Sequence, residues 1–176
     1  MTDHSPVRRA VRFAAYRSFY RLPLWWRRRL VRLGAPSFYL GALVLVRDAD
    51  AAAPGRLLLL RQRPGPGWSL PGGLLQRGER PIDAAARELA EETGIKLSTA
   101  ELRAAVPNAV VHIRGRWIDT VFEAEVSAPD AFTLDEAEVH EAAWHPIDAL
   151  PPLTPSTALL LGHYALGPQA DNPRDD

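Results

Sequence analysis

Glu88, Glu91 and Glu92 follow one another at i, i+3 and i+4 in a segment patterned as a helix. At 100° per residue they share an arc of about 100°, so one helix face carries three carboxylates. Like charges at that spacing repel by roughly 0.2–0.5 kcal/mol per pair on an isolated helix. A divalent cation turns that repulsion into ligation, because hard cations take carboxylate oxygens. The bland alternative is an amphipathic surface helix whose acidic side is simply solvated. Ile82, Ala85, Ala86 and Leu89, at i, i+3, i+4 and i+7, form a separate stripe that can be buried.

The ends of this helix are legible too. Pro81 suits the first helical position, where its missing N–H is not needed. Asp83 places negative charge in the first turn. Gly94 suits the left-handed residue after the last turn, and Ile95 the apolar contact that follows it. Upstream, Pro71-Gly72-Gly73 and Gly78 make the entry a loop whose backbone can approach a ligand closely. The order of strand, Gly-rich loop and acidic helix suits a metal-bridged phosphate.

The segment from Gly73 to Ile95 resembles a Nudix box. Gly73, Glu79, Arg87, Glu88, Leu89, Glu91, Glu92, Gly94 and Ile95 fill every specified position of the pattern, over 23 of 176 residues. The resemblance implies an α/β fold, a Nudix-type α/β/α sandwich with a mixed β-sheet between helices. It implies Mg²⁺-dependent hydrolysis, with Mn²⁺ as the other candidate cation, of a phosphoanhydride in a nucleoside diphosphate linked to another moiety. Such catalysis is mainly charge neutralisation and positioning, with a metal-activated water as nucleophile. Glu91 and Glu92 are the implied ligands, Glu88 a third ligand or the base, and the Gly73 carbonyl a further ligand. Arg87 joins the catalytic set, or with Glu79 braces the loop against the helix; it can also pair with Glu91 at i,i+4. A downstream acid is expected before a Trp-containing strand. Glu138, six residues before Trp144, fits best, with Glu136 and Glu141 close behind. Neither the Pro nor the Tyr that marks certain subfamilies stands near Val111, so the nucleotide substrate stays open. The alternative to a hydrolase is a catalytically idle Nudix-fold module that binds a nucleotide or a partner.

Composition agrees with one enzyme domain. A chain of 176 residues is ample for one core, and 47% apolar with 24% charged residues is ordinary for a globular protein. The absence of Cys excludes disulfides, a thiol nucleophile and zinc-finger arrangements. No run of 18 apolar residues suggests a membrane span. A cytoplasmic location is expected, with peripheral membrane attachment as a variant.

Charge is unevenly spread. Residues 8–34 hold nine Arg (8, 9, 12, 17, 21, 27, 28, 29 and 32) and no acid, although the whole chain has 21 basic and 21 acidic residues. Phe13, Tyr16, Phe19, Tyr20, Trp25 and Trp26 lie among them, and Pro23 divides the arm into two helical pieces, 8–21 and 24–33. Three readings compete: an anionic membrane surface, single-stranded nucleic acid, less favoured, or cover for the protein's own domain or for a second subunit in a homodimer. No apolar h-region follows the Arg, so a secretory signal is not expected; a transit-like composition is a minor alternative. The expected organisation is a basic aromatic arm over 1–34, a hydrolase domain over 35–166 and a disordered tail over 167–176.

The remaining elements must hold the acidic helix in place. Residues 38–47 and 57–62 read as strands of a hairpin around 48–55. Segments 104–113 and 116–126 read as another hairpin turning at Arg114-Gly115, one face of its second strand looking toward substrate. Residues 138–146 read as a short strand, and Thr154-Pro155 opens a last helix over 155–165. Arg61 and Arg63 are candidate phosphate contacts. Trp68 or Trp117 is a candidate platform for a base.

Overall fold

The computed structural model describes residues 6–171 except Pro64, Arg114 and Asp130. Part of the turn expected at Arg114 therefore lies outside the described residues, as do residues 172–176 of the expected tail. The chain divides into two compact units between Ser37 and Phe38.

The first unit holds α1 (Pro6–Arg21) and α2 (Leu24–Gly34). Pro23, in an extended conformation, separates them, since its ring cannot continue the preceding helix. No residue of α2 is buried.

The second unit is a seven-stranded mixed sheet with a helix on each face. Its strands are β1 (Tyr39–Asp48), β2 (Arg56–Gln62), β3 (Trp68–Ser69), β4 (Gly72–Leu74), β5 (Arg103–His112), β6 (Trp117–Val126) and β7 (Val139–Pro146). The central path runs β3-β2-β1-β6-β5, with β4 paired to β1 and β7 to β2. β1 lies parallel to β6 along its whole length, from Tyr39 opposite Trp117 to Asp48 opposite Val126. Its other edge is shared. β2 meets it antiparallel at Arg47 opposite Leu57, and β4 takes over from Leu43 to Gly41. The two strands on that edge thus part company, and the split brings Gln62 at the end of β2 near Gly72 at the start of β4.

α3 (Pro81–Thr93) covers one face. Its Ala84, Ala85 and Leu89 pack with Ala42, Val44, Val46, Leu58, Phe122 and Ala124. Alternation along β1 and β6 sends the next residues to the opposite face, where Leu45 and Val121 join Leu57, Leu59 and the Leu160–Leu161 pair of α4 (Pro155–Gly162). Burying each such leucine contributes about 1.5–3 kcal/mol. Thr154 caps α4, its hydroxyl accepting from Thr157 N–H at 3.3 Å. Gly94 ends α3 at φ 78°, donating its N–H to Ala90.

One expectation needs correction. Residues 167–169 are not irregular: they form a 3-10 turn beside α4, with Leu166 buried in the second core cluster. The apolar Leu166 anchors the start of a stretch whose composition alone reads as tail.

Candidate active site

Every box residue sits where α3, β4 and the loop between them converge. Arg87 is the hub. Its guanidinium grips Glu79 with two parallel bonds, Nε to Oε1 at 2.8 Å and Nη2 to Oε2 at 3.0 Å. Nη1 donates to Glu88 Oε1 at 2.8 Å and to Glu91 Oε2 at 2.9 Å, the i,i+4 pairing expected from the spacing. Glu79 also accepts the Gln76 N–H at 2.8 Å, so the loop is tied to the helix through one carboxylate. These bonds hold the Glu79 carboxyl below its ordinary range, the Arg87 hydrogen bond being the largest cause, and push the Arg87 guanidinium up.

Glu88 lies directly against Gly73. A β-carbon at Gly73 would stand 2.6–2.8 Å from the Glu88 carboxyl atoms, so the box glycine is required for close approach. Glu92 is the most enclosed of the three, at 2% exposure. It accepts the Gly72 N–H at 2.8 Å through Oε2, and Gln62 donates its Nε2 to Oε1. Burial, first, and then the charges of Glu88 and Glu138 push the Glu92 carboxyl up to about 8, against the two hydrogen bonds.

These groups line a cavity of about 470 Å³ with Leu74, Asp135 and Glu138. Glu138 arrives from the turn before β7, where its carbonyl accepts the Arg63 N–H at 3.1 Å beside Gln62. Its competitors Glu136 and Glu141 do not line the cavity; Glu141 pairs with Arg61 at 3.3 Å instead. Five carboxylates therefore face one space. Two contributors were not singled out from sequence: Asp135, three residues before Glu138, and Gln62, an amide at a strand end with no motif around it.

A second cavity of about 210 Å³ shares Gln62 and Gly72 with the first. Trp117 and Asp119 line it from β6, with Ser69, Ser156 and Thr157. This is the face of β6 that carries the polar aromatic alternation. Asp119 Oδ2 lies 3.0 Å from Nε2 of the fully buried His112 and accepts Trp117 Nε1–H at 3.2 Å. The His112 ring stacks on Trp117 at 4.8 Å. Burial pushes the Asp119 carboxyl up despite these partners.

Arg61, Arg63 and Trp68 are not among the residues lining either cavity. Arg61 reaches Glu141 and lies 6.0 Å from the centre of the Trp68 ring. Arg63 donates to His140 at 2.8 Å. Trp68 packs edge-on against His145 at 4.4 Å. The antiparallel pairing of β2 with β7 turns these side chains toward β7 partners, a contact that strand-by-strand reading does not reveal.

The donor set fits a hard cation: oxygen donors only, a carbonyl-bearing glycine in contact with Glu88, and a carboxyl raised by burial and then by like charge. The candidate ligands are not pre-assembled: among the described residues no three His, Asp or Glu form a ready cluster. The reason is Arg87, whose Nη1 stands between Glu88 and Glu91 as their present counter-charge. Glu91, 56% exposed, is the candidate ligand with freedom to turn away from it.

A mixed sheet between two helices, with this carboxylate cavity at the box, defines the chain as a Nudix-type α/β protein. The comparisons agree. A family model described as NUDIX domain matches residues 38–162, and the chain belongs to the Nudix hydrolase family. It is 30% identical over 119 residues to the uncharacterized Nudix hydrolase YvcI of Bacillus subtilis (strain 168), covering 62% of this chain and 72% of that one. It is 35% identical over 104 residues to an RNA pyrophosphohydrolase of Agrobacterium fabrum, covering 49% and 61%. The crystal structure of a MutT NUDIX hydrolase from Burkholderia pseudomallei superposes with TM-score 0.56 at 28% identity, covering 71% of this chain and 96% of that one. Two further curated relatives are matched over only 35% and 14% of their lengths. Enzymes of this family generally use divalent metals.

Proposed function

We propose that the chain hydrolyses a phosphoanhydride bond in a nucleoside diphosphate linked to another moiety, with Mg²⁺ or Mn²⁺ held by Glu88, Glu91, Glu92 and the Gly73 carbonyl, and Glu138 approaching from β7. The observation that carries this reading is Glu92. A carboxyl at 2% exposure, raised to about 8 by burial and by two other glutamates, is costly unless a cation occupies the space they share.

Bound there, a divalent cation would neutralise the diphosphate and acidify a water molecule. The protein's own groups do the rest. The Gly72 N–H and the Gln62 amide fix which way the Glu92 oxygens point. Arg87, anchored by Glu79, holds the Glu88 carboxylate against Gly73, where it is placed to accept a proton from the attacking water. Release of Glu91 from Nη1 frees a ligand while the Glu79 clamp keeps the guanidinium in place. The cavity beside Trp117 and Asp119 adjoins the carboxylates through Gly72 and suits the nucleoside. Its Asp119 carboxylate can accept from an amino group on the base, and the Trp117 indole, stacked on His112, forms part of its wall.

The test is a screen of nucleotides and nucleotide-sugars with Mg²⁺ or Mn²⁺, following phosphate or nucleoside monophosphate release. Several curated relatives are named RNA pyrophosphohydrolase, which favours a second substrate, a 5′-phosphorylated RNA end. A 5′-triphosphorylated oligonucleotide in the same screen separates the two. Absence of metal-dependent turnover on every compound would leave the idle binding module as the better account.

A further inference from the structure

We infer that the N-terminal unit docks on an anionic lipid surface, with α2 lying in the plane of the interface. The inference is independent of the hydrolase reading and rests on how α2 distributes its residues. Trp26, Leu30 and Leu33 stand at i, i+4 and i+7 and fall within an arc of about 60°. Leu24 and Val31 extend the apolar side. Arg28, Arg29 and Arg32 occupy a separate arc of about 100°, with the Trp25 ring among them. Arg27 interrupts the apolar side, and its guanidinium lies 5.6 Å from the centre of the Tyr20 ring.

Within the first unit, and among the described residues, the apolar side of α2 is not buried. Trp26 is 42% exposed, Leu30 43% and Leu33 80%, and nothing in α2 is buried. α1 adds Phe13, Tyr16 and Tyr20 at i, i+3 and i+7, all exposed, with Tyr16 stacked on Tyr20 at 6.3 Å. Nine Arg and no acid in residues 8–34 select a partner of negative charge. Two features choose lipid over nucleic acid. The exposed apolar residues of α2 are four aliphatic ones, Leu24, Leu30, Val31 and Leu33, beside Trp25 and Trp26, and leucines offer no π-face for a base, whereas stacking is what single-stranded binding uses. The division into an apolar arc and a cationic arc is the arrangement that places hydrocarbon in the acyl boundary and guanidinium at the headgroups.

The experiment uses the full chain with sedimentable vesicles, either phosphatidylcholine alone or phosphatidylcholine with phosphatidylglycerol, at 50 and 500 mM NaCl. The wild type partitions onto the anionic vesicles at low salt, and high salt or the neutral vesicles release it. Replacing Arg28, Arg29 and Arg32 by Gln together lowers the partition coefficient by about two orders of magnitude, about fivefold for each charge. Leu30→Ser with Leu33→Ser lowers it by about tenfold for each leucine that enters the acyl boundary. Circular dichroism melts check that both variants keep the wild-type fold. No partition of the wild type at 50 mM NaCl overturns the inference, as does equal partition onto neutral vesicles. Unchanged partition in the leucine variant overturns it too. Light scattering that finds a dimer dissociated by the leucine changes, without vesicle binding, assigns the face to a second copy. Capture of a single-stranded oligonucleotide in place of vesicles assigns it to nucleic acid.

Discussion

Glu92 offers a test that needs no substrate. Its carboxyl titrates near 4.5 in an unfolded chain and near 8 in the metal-free fold. Between those values the folded state holds a proton that the unfolded state has released, so stability must fall as pH rises from about 4.5 to about 8. At about 1.4 kcal/mol per pH unit the whole interval amounts to about 5 kcal/mol, a large part of an ordinary domain's stability. Glu92→Gln removes the titration while keeping the shape. Urea denaturation in a chelator at pH 5, 6.5 and 8 should show wild type losing several kcal/mol more than the variant over that range. Asp119 is raised as well and slopes the same way, so the difference between the two proteins, not the wild-type curve alone, reports Glu92. Added Mg²⁺ should restore the wild type at pH 8, because the cation binds the ionised form, and should do little for the variant. Parallel pH curves for the two proteins, within about 1 kcal/mol, would refute the argument that burial and like charge are stored at this carboxyl.

Glu91→Gln should lower kcat by a factor on the order of 10²–10⁴ with a nearly unchanged melting temperature, since the exposed pair with Arg87 contributes little to stability; full activity in that variant, or in chelator-treated wild type, would falsify the metal assignment. Gly73→Ala should cost about 10²-fold in kcat by pushing the Glu88 carboxyl off its position, and steady-state rates with a thermal melt will separate that from unfolding. Arg87→Lys cannot reproduce the paired bonds to Glu79, so a 10–100-fold loss in activity or metal affinity is expected by titration of Mn²⁺, and wild-type affinity would count against the clamp. Asp119→Asn should raise KM for the nucleotide while leaving kcat within a few-fold; a loss confined to kcat would move Asp119 out of the nucleoside cavity.

The box helix was legible because its information is local. Pro81 and Gly94 set its ends, Leu89 its buried side and the three glutamates its acidic side, and each depends on helical spacing alone. The strands were legible for the same reason, since Leu57–Leu60 and Leu43–Val46 are apolar runs between turn residues. Two strand pairings were legible as hairpins, β1 with β2 and β5 with β6, whereas the pairing of β7 with β2 was not. Arg61 and Arg63 stand just upstream of the glycine loop in sequence, yet pairing of β2 with β7 gives them Glu141 and His140 as partners. The same pairing sets Val139 opposite Gln62 and so brings the preceding turn, with Asp135 and Glu138, to the box carboxylates. Glu138 could be named because the Nudix resemblance implies an acid before the strand of Trp144, whereas Asp135 could not, since its place exists only once the turn bonds its carbonyl to the Glu138 and Val139 N–H groups.

Gln62 is the sharpest case. Nothing in its neighbours along the chain marks it, and its importance arises where β1's edge passes from β2 to β4. There the amide and the Gly72 N–H become the two donors to Glu92 and the common wall of both cavities. A neutral donor suits that place. A lysine or arginine would neutralise Glu92 permanently and compete with the cation, whereas an amide orients the carboxylate and leaves its charge available. The split strand edge thus joins the carboxyl proposed to hold the metal to the cavity proposed for the nucleoside.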